Sequence, residues 1–169
     1  KVIAIDKDKD LFIFTSALLK ISNPKKAKAI NQNSLDIKLL RTLPKSSSPF
    51  NADYVITNPP FGSKIPVKGE EILCQYELGY HWEFSKQEEK WVKTNTIRST
   101  QDPQTLFIEL CVEMLKDGGK MGIVLPEGIF GNKTCGYIWD YLREKGKIIG
   151  LIDCPRTTFQ PGTDTKTNI

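Results

Sequence analysis

The chain has a single histidine, His81, among its 169 residues. Its four cysteines, Cys74, Cys111, Cys135 and Cys154, show no C-x-x-C spacing. Together they offer no convincing zinc site, and free intracellular thiols are the better reading. No apolar run approaches the ~20 residues needed to span a bilayer, which argues against a membrane protein. No charged n-region with a following apolar h-region marks a secretory signal. These absences point to the cytoplasm. The sequence also has no internal repeat and supplies no obvious general base.

What is present fits one globular domain. Hydrophobic residues make up 39% and charged residues 26% of the chain, the balance of an ordinary globular protein. Net charge is +4, and the excess lies early, with ten Lys/Arg against four Asp in residues 1–50. A solvated surface explains such an excess unless a fold organises it into a nucleic-acid footprint. The opening residues KVIAID already look like the interior of a fold, so the sequence is expected to be a piece of something longer.

Hydrophobic periodicity outlines alternating elements. Residues 2–5 read as a strand ending at Asp6. Residues 10–21 read as a helix, with Leu11, Phe14, Leu18 and Ile21 recurring at three and four, stopped by Ser22-Asn23-Pro24. Residues 28–30 form a short strand, 44–51 a serine-rich loop, and 53–57 a second clear strand. The helix over 103–116 has Pro103 in its first turn and Gly118-Gly119 beyond its end. Strands over 121–125 and 148–152 flank a helix over 134–145 capped by Gly146. Lys166 to the end is strand-like, and Lys166 itself either meets phosphate or faces water. Residues 63–102 are expected to be a long loop or insertion, with a short helix around 83–92. Strands alternating with helices predict an α/β fold with a mostly parallel sheet.

The stretch ITNPPFG ends the strand at 53–57. Neither Pro59 nor Pro60 can donate to a ladder, so the strand stops there. Each proline also holds the residue before it extended. The product is a stiff bracket that carries the Asn58 amide and then the Phe61 ring. In open α/β sheets ligands sit beyond the carboxyl ends of strands, where this bracket lies. Two acceptors there, the Asn58 oxygen and the Pro59 carbonyl, suit methylation of an exocyclic base amine. By accepting its two hydrogens they would free a lone pair otherwise delocalised into the ring. Phe61 can stack on the base.

Asn58-Pro59-Pro60-Phe61 resembles the catalytic motif of amino-group methyltransferases that use S-adenosylmethionine. The wider order of segments resembles the N6-adenine DNA methyltransferases, especially type I restriction–modification modification subunits. VIAID resembles the family's second strand. Asn33-Ser34-Leu35 falls where the family has Asp-Ser-Leu. LFIELCVEMLKDGGKMGIVLPEGIF and IIGLIDCPRTTFQPGTDTKTNI resemble its later segments. The resemblance covers most of the chain outside residues 63–102. It implies a Rossmann-like methyltransferase fold, incomplete at the N-terminus and at the C-terminus.

For the site, the resemblance implies that Asn58, Pro59, Pro60 and Phe61 are catalytic and that Phe61 and Phe159 hold the base. Asp6, Asn33, Ser34 and Asn58 would bind the cofactor, with Asp6 on the ribose hydroxyls. No metal is expected. The implied partners are double-stranded DNA with a flipped adenine and a specificity subunit or target-recognition domain. Plain alternatives stand beside these roles: a solvated strand end for Asp6, a turn residue for Asn33, core packing for Phe159. Two alternative functions also stand, methylation of a protein glutamine or an rRNA base, and a non-catalytic interaction domain. No glycine-rich cofactor loop precedes Asp6 in this sequence. In the resembled fold a strand and that loop lie between the strands at 2–5 and 53–57. Those two strands are therefore expected either to pair directly or to lie beside a strand from outside the sequence.

Overall fold

The computed structural model describes residues 1–22, 25–60, 65–162 and 164–169. β1 (Val2–Asp6) leads into α1 (Lys9–Ser22) and β2 (Ala27–Asn31). The Asp8 carboxylate accepts from the Asp10 and Leu11 N–H groups, at 2.9 and 3.0 Å, and so satisfies the first turn of α1. β1 and β2 pair in parallel from Val2↔Ala27 to Asp6↔Asn31. This is the strand–helix–strand unit that alternating periodicity predicts.

A short helix, α2 (Ile37–Arg41), follows and is capped by Asp36, whose carboxylate accepts from Leu39 N. The loop at 44–51 then delivers β3 (Ala52–Thr57). The Asn58-Pro59-Pro60 bracket follows β3. After it come β4 (Val67–Lys68), α3 (Glu70–Leu73), β5 (Tyr80–Ser85), β6 (Lys90–Ile97) and β7 (Thr100–Gln101). α4 (Pro103–Met114) runs into β8 (Leu115–Ile123), which pairs in parallel with β3. β9 (Leu125–Pro126), α5 (Gly128–Gly131), α6 (Gly136–Lys145) and β10 (Thr167–Asn168) complete the chain.

α4 is the pivot of the core. Asp102 and Pro103 start it, as proline at the first helical position favours. Ile108 and Cys111 pack into a cluster with Leu78, Ile123, Ile138 and Tyr141. Leu106, Leu110 and Met114 pack into a second cluster with Leu35, Leu40, Leu73 and Tyr76. Phe107 touches both clusters. Gly118 turns the chain between α4 and the rest of β8 with φ +73°, a conformation that costs glycine little.

The expected α/β class holds: among the described residues β1–β2 and β3–β8 pair in parallel, and three further ladders are antiparallel. Two expectations are corrected. Residues 83–92 are not helical. β5 and β6 form an antiparallel hairpin around a turn at 86–89, with Glu89 at φ +52°. Tyr80, Trp82 and Phe84 alternate, and the ring contacts of Trp82 and Trp91 with Tyr137 reward that two-residue period. The described part of the expected long loop is thus built of elements. Residues 148–152, likewise, form no strand. Ile148, Ile149 and Leu151 are exposed, and only Ile152 bonds a neighbour, exchanging two backbone hydrogen bonds with Ile169. An apolar run becomes a strand only where another strand lies beside it.

β1 and β3 do not pair directly. Among the described residues β1 pairs as a strand only with β2 and β3 only with β8, and residues of both line a cleft of about 680 Å³. Val2–Ile5 supply one wall and 52–57 the other, with Phe107, Leu110 and Met114 of α4 also lining it. Among the described residues no strand occupies this gap, and Ile56 is 86% exposed. The apolar face of α1 is open as well, with Leu11, Phe14 and Leu18 more than half exposed.

Candidate active site

The candidate residues Asp6, Asn33, Ser34 and Asn58 lie at or just beyond the carboxyl ends of β1, β2 and β3. Asn58 follows β3 and is exposed, and its side chain bonds no described residue. Pro59 is buried and Pro60 exposed. The buried ring anchors the bracket while the amide before it faces outward, which is the division of labour the two prolines suggest. The last carbonyl of β3, that of Thr57, accepts from Val124 N at 3.1 Å, so the strand is held up to the residue before the bracket. Phe61, assigned to base stacking, lies outside the described residues.

Asp6 is half-buried at the end of β1. Its Oδ1 accepts from Asp8 N at 2.8 Å, which engages one carboxylate oxygen in the turn into α1. The Asn31 amide donates to the Asp6 and Lys7 carbonyls and fixes the same turn from β2. Asn33 is exposed, and its Oδ1 accepts from Leu35 N at 3.1 Å. It therefore makes the local turn that its residue type favours, and its Nδ2 hydrogens are left for a partner. Ser34 Oγ donates to the Ile5 carbonyl at 3.5 Å, which places 33–34 against the end of β1. Ile5, Ser34 and Thr57 all line the cleft, so the ends that carry Asp6 and Asn58 flank one opening.

The donor set fits an adenosine group. Asp6 offers a carboxylate oxygen to hydroxyls, and Asn33 offers amide hydrogens to ring nitrogens. Among the described residues no group of His, Cys, Asp or Glu is arranged to hold a metal ion. No described helix is long and apolar enough to cross a membrane.

Phe159 ends a 3₁₀ turn over Arg156–Phe159 and is half-buried, and it is not among the residues that line the cleft. Lys166 is not free for phosphate. It pairs with Glu127 at 3.3 Å and Asp153 at 3.0 Å and ties the segment after β9 to the chain beside β10.

Sequence reasoning missed a buried carboxylate. Glu109 of α4 accepts from the Glu77 and Leu78 N–H groups, each at 2.8 Å. Burial pushes its carboxyl up to about 7, the two backbone N–H groups pull it down, and nearby Glu77 and Glu113 raise it again. Its only signal in the sequence is a charged residue on the apolar face of the helix LFIELC. Burial pushes the Cys111 thiol up to about 12, which makes it an inert core group.

A family model for N-6 DNA methylases matches residues 17–169. The methylase subunit of the type I restriction enzyme EcoEI from Escherichia coli is 30% identical over 129 residues, which cover 75% of this chain and 22% of that subunit. The chain thus spans about a fifth of the length of that curated relative. A proposed class I S-adenosylmethionine-dependent methyltransferase from Listeria monocytogenes superposes with a TM-score of 0.69 at 20% identity, over 98% of this chain and 42% of that one. The modification subunit of a proposed type I restriction enzyme from Vibrio vulnificus gives 0.66 at 19% identity, over 98% of this chain and 31% of that one. At these identities the two structures establish the fold, and the expected Rossmann-like methyltransferase fold is the one shared with them.

Proposed function

This chain belongs to the N-6 DNA methylase family, and from that premise we propose that it is catalytic chain of an S-adenosylmethionine-dependent N6-adenine DNA methyltransferase in a type I restriction–modification system. The observation that carries the reading is the Asn58-Pro59-Pro60 bracket. It sets an outward-facing amide on a buried proline at the end of β3, beside an opening whose far side ends in Asp6.

Adenine's exocyclic amine is a weak nucleophile because its lone pair is shared with the ring. Asn58 Oδ1 and the Pro59 carbonyl would each accept one amino hydrogen, which favours a pyramidal nitrogen and releases the lone pair. The prolines orient these dipoles before charge develops, so little reorganisation is needed in the transition state. S-adenosylmethionine, when bound, supplies the electrophilic methyl group. Asp6 would accept from its ribose hydroxyls, and Asn33 would donate to its adenine ring, with Ser34 holding that turn on β1. Phe61 and Phe159 would sandwich the target base, which must leave the duplex because its amine is out of reach inside the stack. Choice of DNA sequence would come from a target-recognition domain or specificity subunit.

The test is Asn58→Ala in the full-length protein. Loss of a preorganised acceptor costs ~100-fold or more in turnover. A folded variant whose turnover is within a few-fold of wild type would show the bracket to be structural.

A further inference from the structure

The bracket needs an anchor at both ends. β3 supplies the upstream one. Downstream, the chain reaches β4, whose place is set by antiparallel pairing with β7, Val67↔Gln101 and Lys68↔Thr100. β7 leads directly into α4. The segment between β4 and β7 also touches the other half of the site: Tyr76 Oη donates to the Leu35 carbonyl at 2.8 Å, next to Asn33-Ser34.

Two buried side chains hold this segment together. Glu109 is 3% exposed, and its two oxygens take the N–H groups of Glu77 and Leu78 one each. Gln101 is 7% exposed; its Nε2 donates to the Leu78 carbonyl at 2.6 Å and to Tyr137 Oη at 3.2 Å, and its Oε1 accepts from Asp102 N at 2.9 Å. Leu78 is fully buried. Its N–H and carbonyl are therefore satisfied by side chains from α4 and β7, where a strand or helix would ordinarily do it. An ionised carboxylate is the side chain with two acceptor oxygens and no donor, so it can take two neighbouring N–H groups at once. The carboxylate touches no residue of the bracket.

We propose that Glu109, with Gln101, is a positioning residue for methyl transfer: it clamps the 77–79 turn and so fixes β4, the downstream anchor of the Asn58-Pro59-Pro60 bracket. This rests on the reading of Asn58 as the amine acceptor. A misplacement of reacting groups by about 1 Å costs up to ~100-fold in rate without contact to the chemistry. The clamp therefore acts on turnover. It leaves the Asp6 end of the cofactor site in place, because β1 is held by β2.

The test uses the full-length protein with Glu109→Gln and, separately, Gln101→Met. kcat and the cofactor KM for methyl transfer are measured beside hydrogen exchange of the Leu78 amide. The expected result is faster Leu78 exchange, kcat down by ~10–100-fold, and a cofactor KM within about threefold of wild type. Unchanged kcat in variants with fast Leu78 exchange would overturn the clamp alone. Failure of both variants to fold would make it a stability element and overturn its positioning role. A wild-type protein that transfers no methyl group would overturn the reading of Asn58, and this inference with it.

Discussion

At the scale of single residues, Glu109 makes stability depend on pH. The native state holds its proton up to about 7, whereas the ordinary value for the group is 4.5. Between those values the native state binds more protons than the unfolded chain. The contribution to stability is therefore full below about 4.5 and is lost as pH rises through about 7. The groups facing it are Glu77, Glu113 and Leu78 N–H, with Lys145 paired to Glu77 at 2.8 Å. Denaturant unfolding of wild type from pH 5 to 8 should show a loss, on the order of 3 kcal/mol at most, that is absent in Glu109→Gln. Parallel pH profiles would contradict it. Asp6 belongs to the same scale. Loss of a charge-assisted hydrogen bond costs ~1.5–3 kcal/mol, so Asp6→Ala should weaken cofactor binding by ~10–100-fold. Calorimetry on the full-length variant reads this directly, and unchanged affinity would leave Asp6 as a strand end that caps its own turn.

At the scale of elements, the close approach of two backbones in the 65–101 segment sets a strict limit. A Cβ on Gly79 would collide with the backbone carbonyl of Leu73, which cannot move as a side chain can. Gly79→Ala should therefore destabilise the protein by ~1–3 kcal/mol or more, seen as a lower denaturation midpoint. A neutral substitution would mean that the turn over Glu77–Gly79 shifts freely, which the Glu109 and Gln101 bonds oppose. This segment also shows where sequence reading reached and where it stopped. α1, β2, β3, α4 and α6 were legible because each carries its own period and its own stops. The hairpin was legible in principle, since Tyr80, Trp82 and Phe84 alternate, but its seven charged residues between 83 and 98 masked the period. The strand expected at 148–152 failed for the opposite reason: its apolar pattern is clear, but only its last residue, Ile152, meets a neighbouring backbone, that of Ile169. For the candidate site, the positions of Asn58, Pro59 and Asp6 at strand ends were legible because prolines and strand ends constrain the chain locally. Glu109 was not, because its partners Glu77 and Leu78 are 32 and 31 residues away and only folding brings them together.

At the scale of the whole molecule, the two parallel ladders β1–β2 and β3–β8 carry the two halves of the proposed site. They face each other across an open cleft, with α4 and the 65–101 segment joining them from one side. In the proposed reading the cofactor end is β1 with the turn at 33–34, and the amine end is the bracket after β3. Methyl transfer requires both halves at once, so the central claim is a statement about the product. Full-length protein is incubated with duplex DNA and methyl-labelled S-adenosylmethionine, and the DNA is digested to nucleosides. The account predicts that label elutes as N6-methyldeoxyadenosine. Label in a protein glutamine, in RNA, or in another base of the DNA would contradict it.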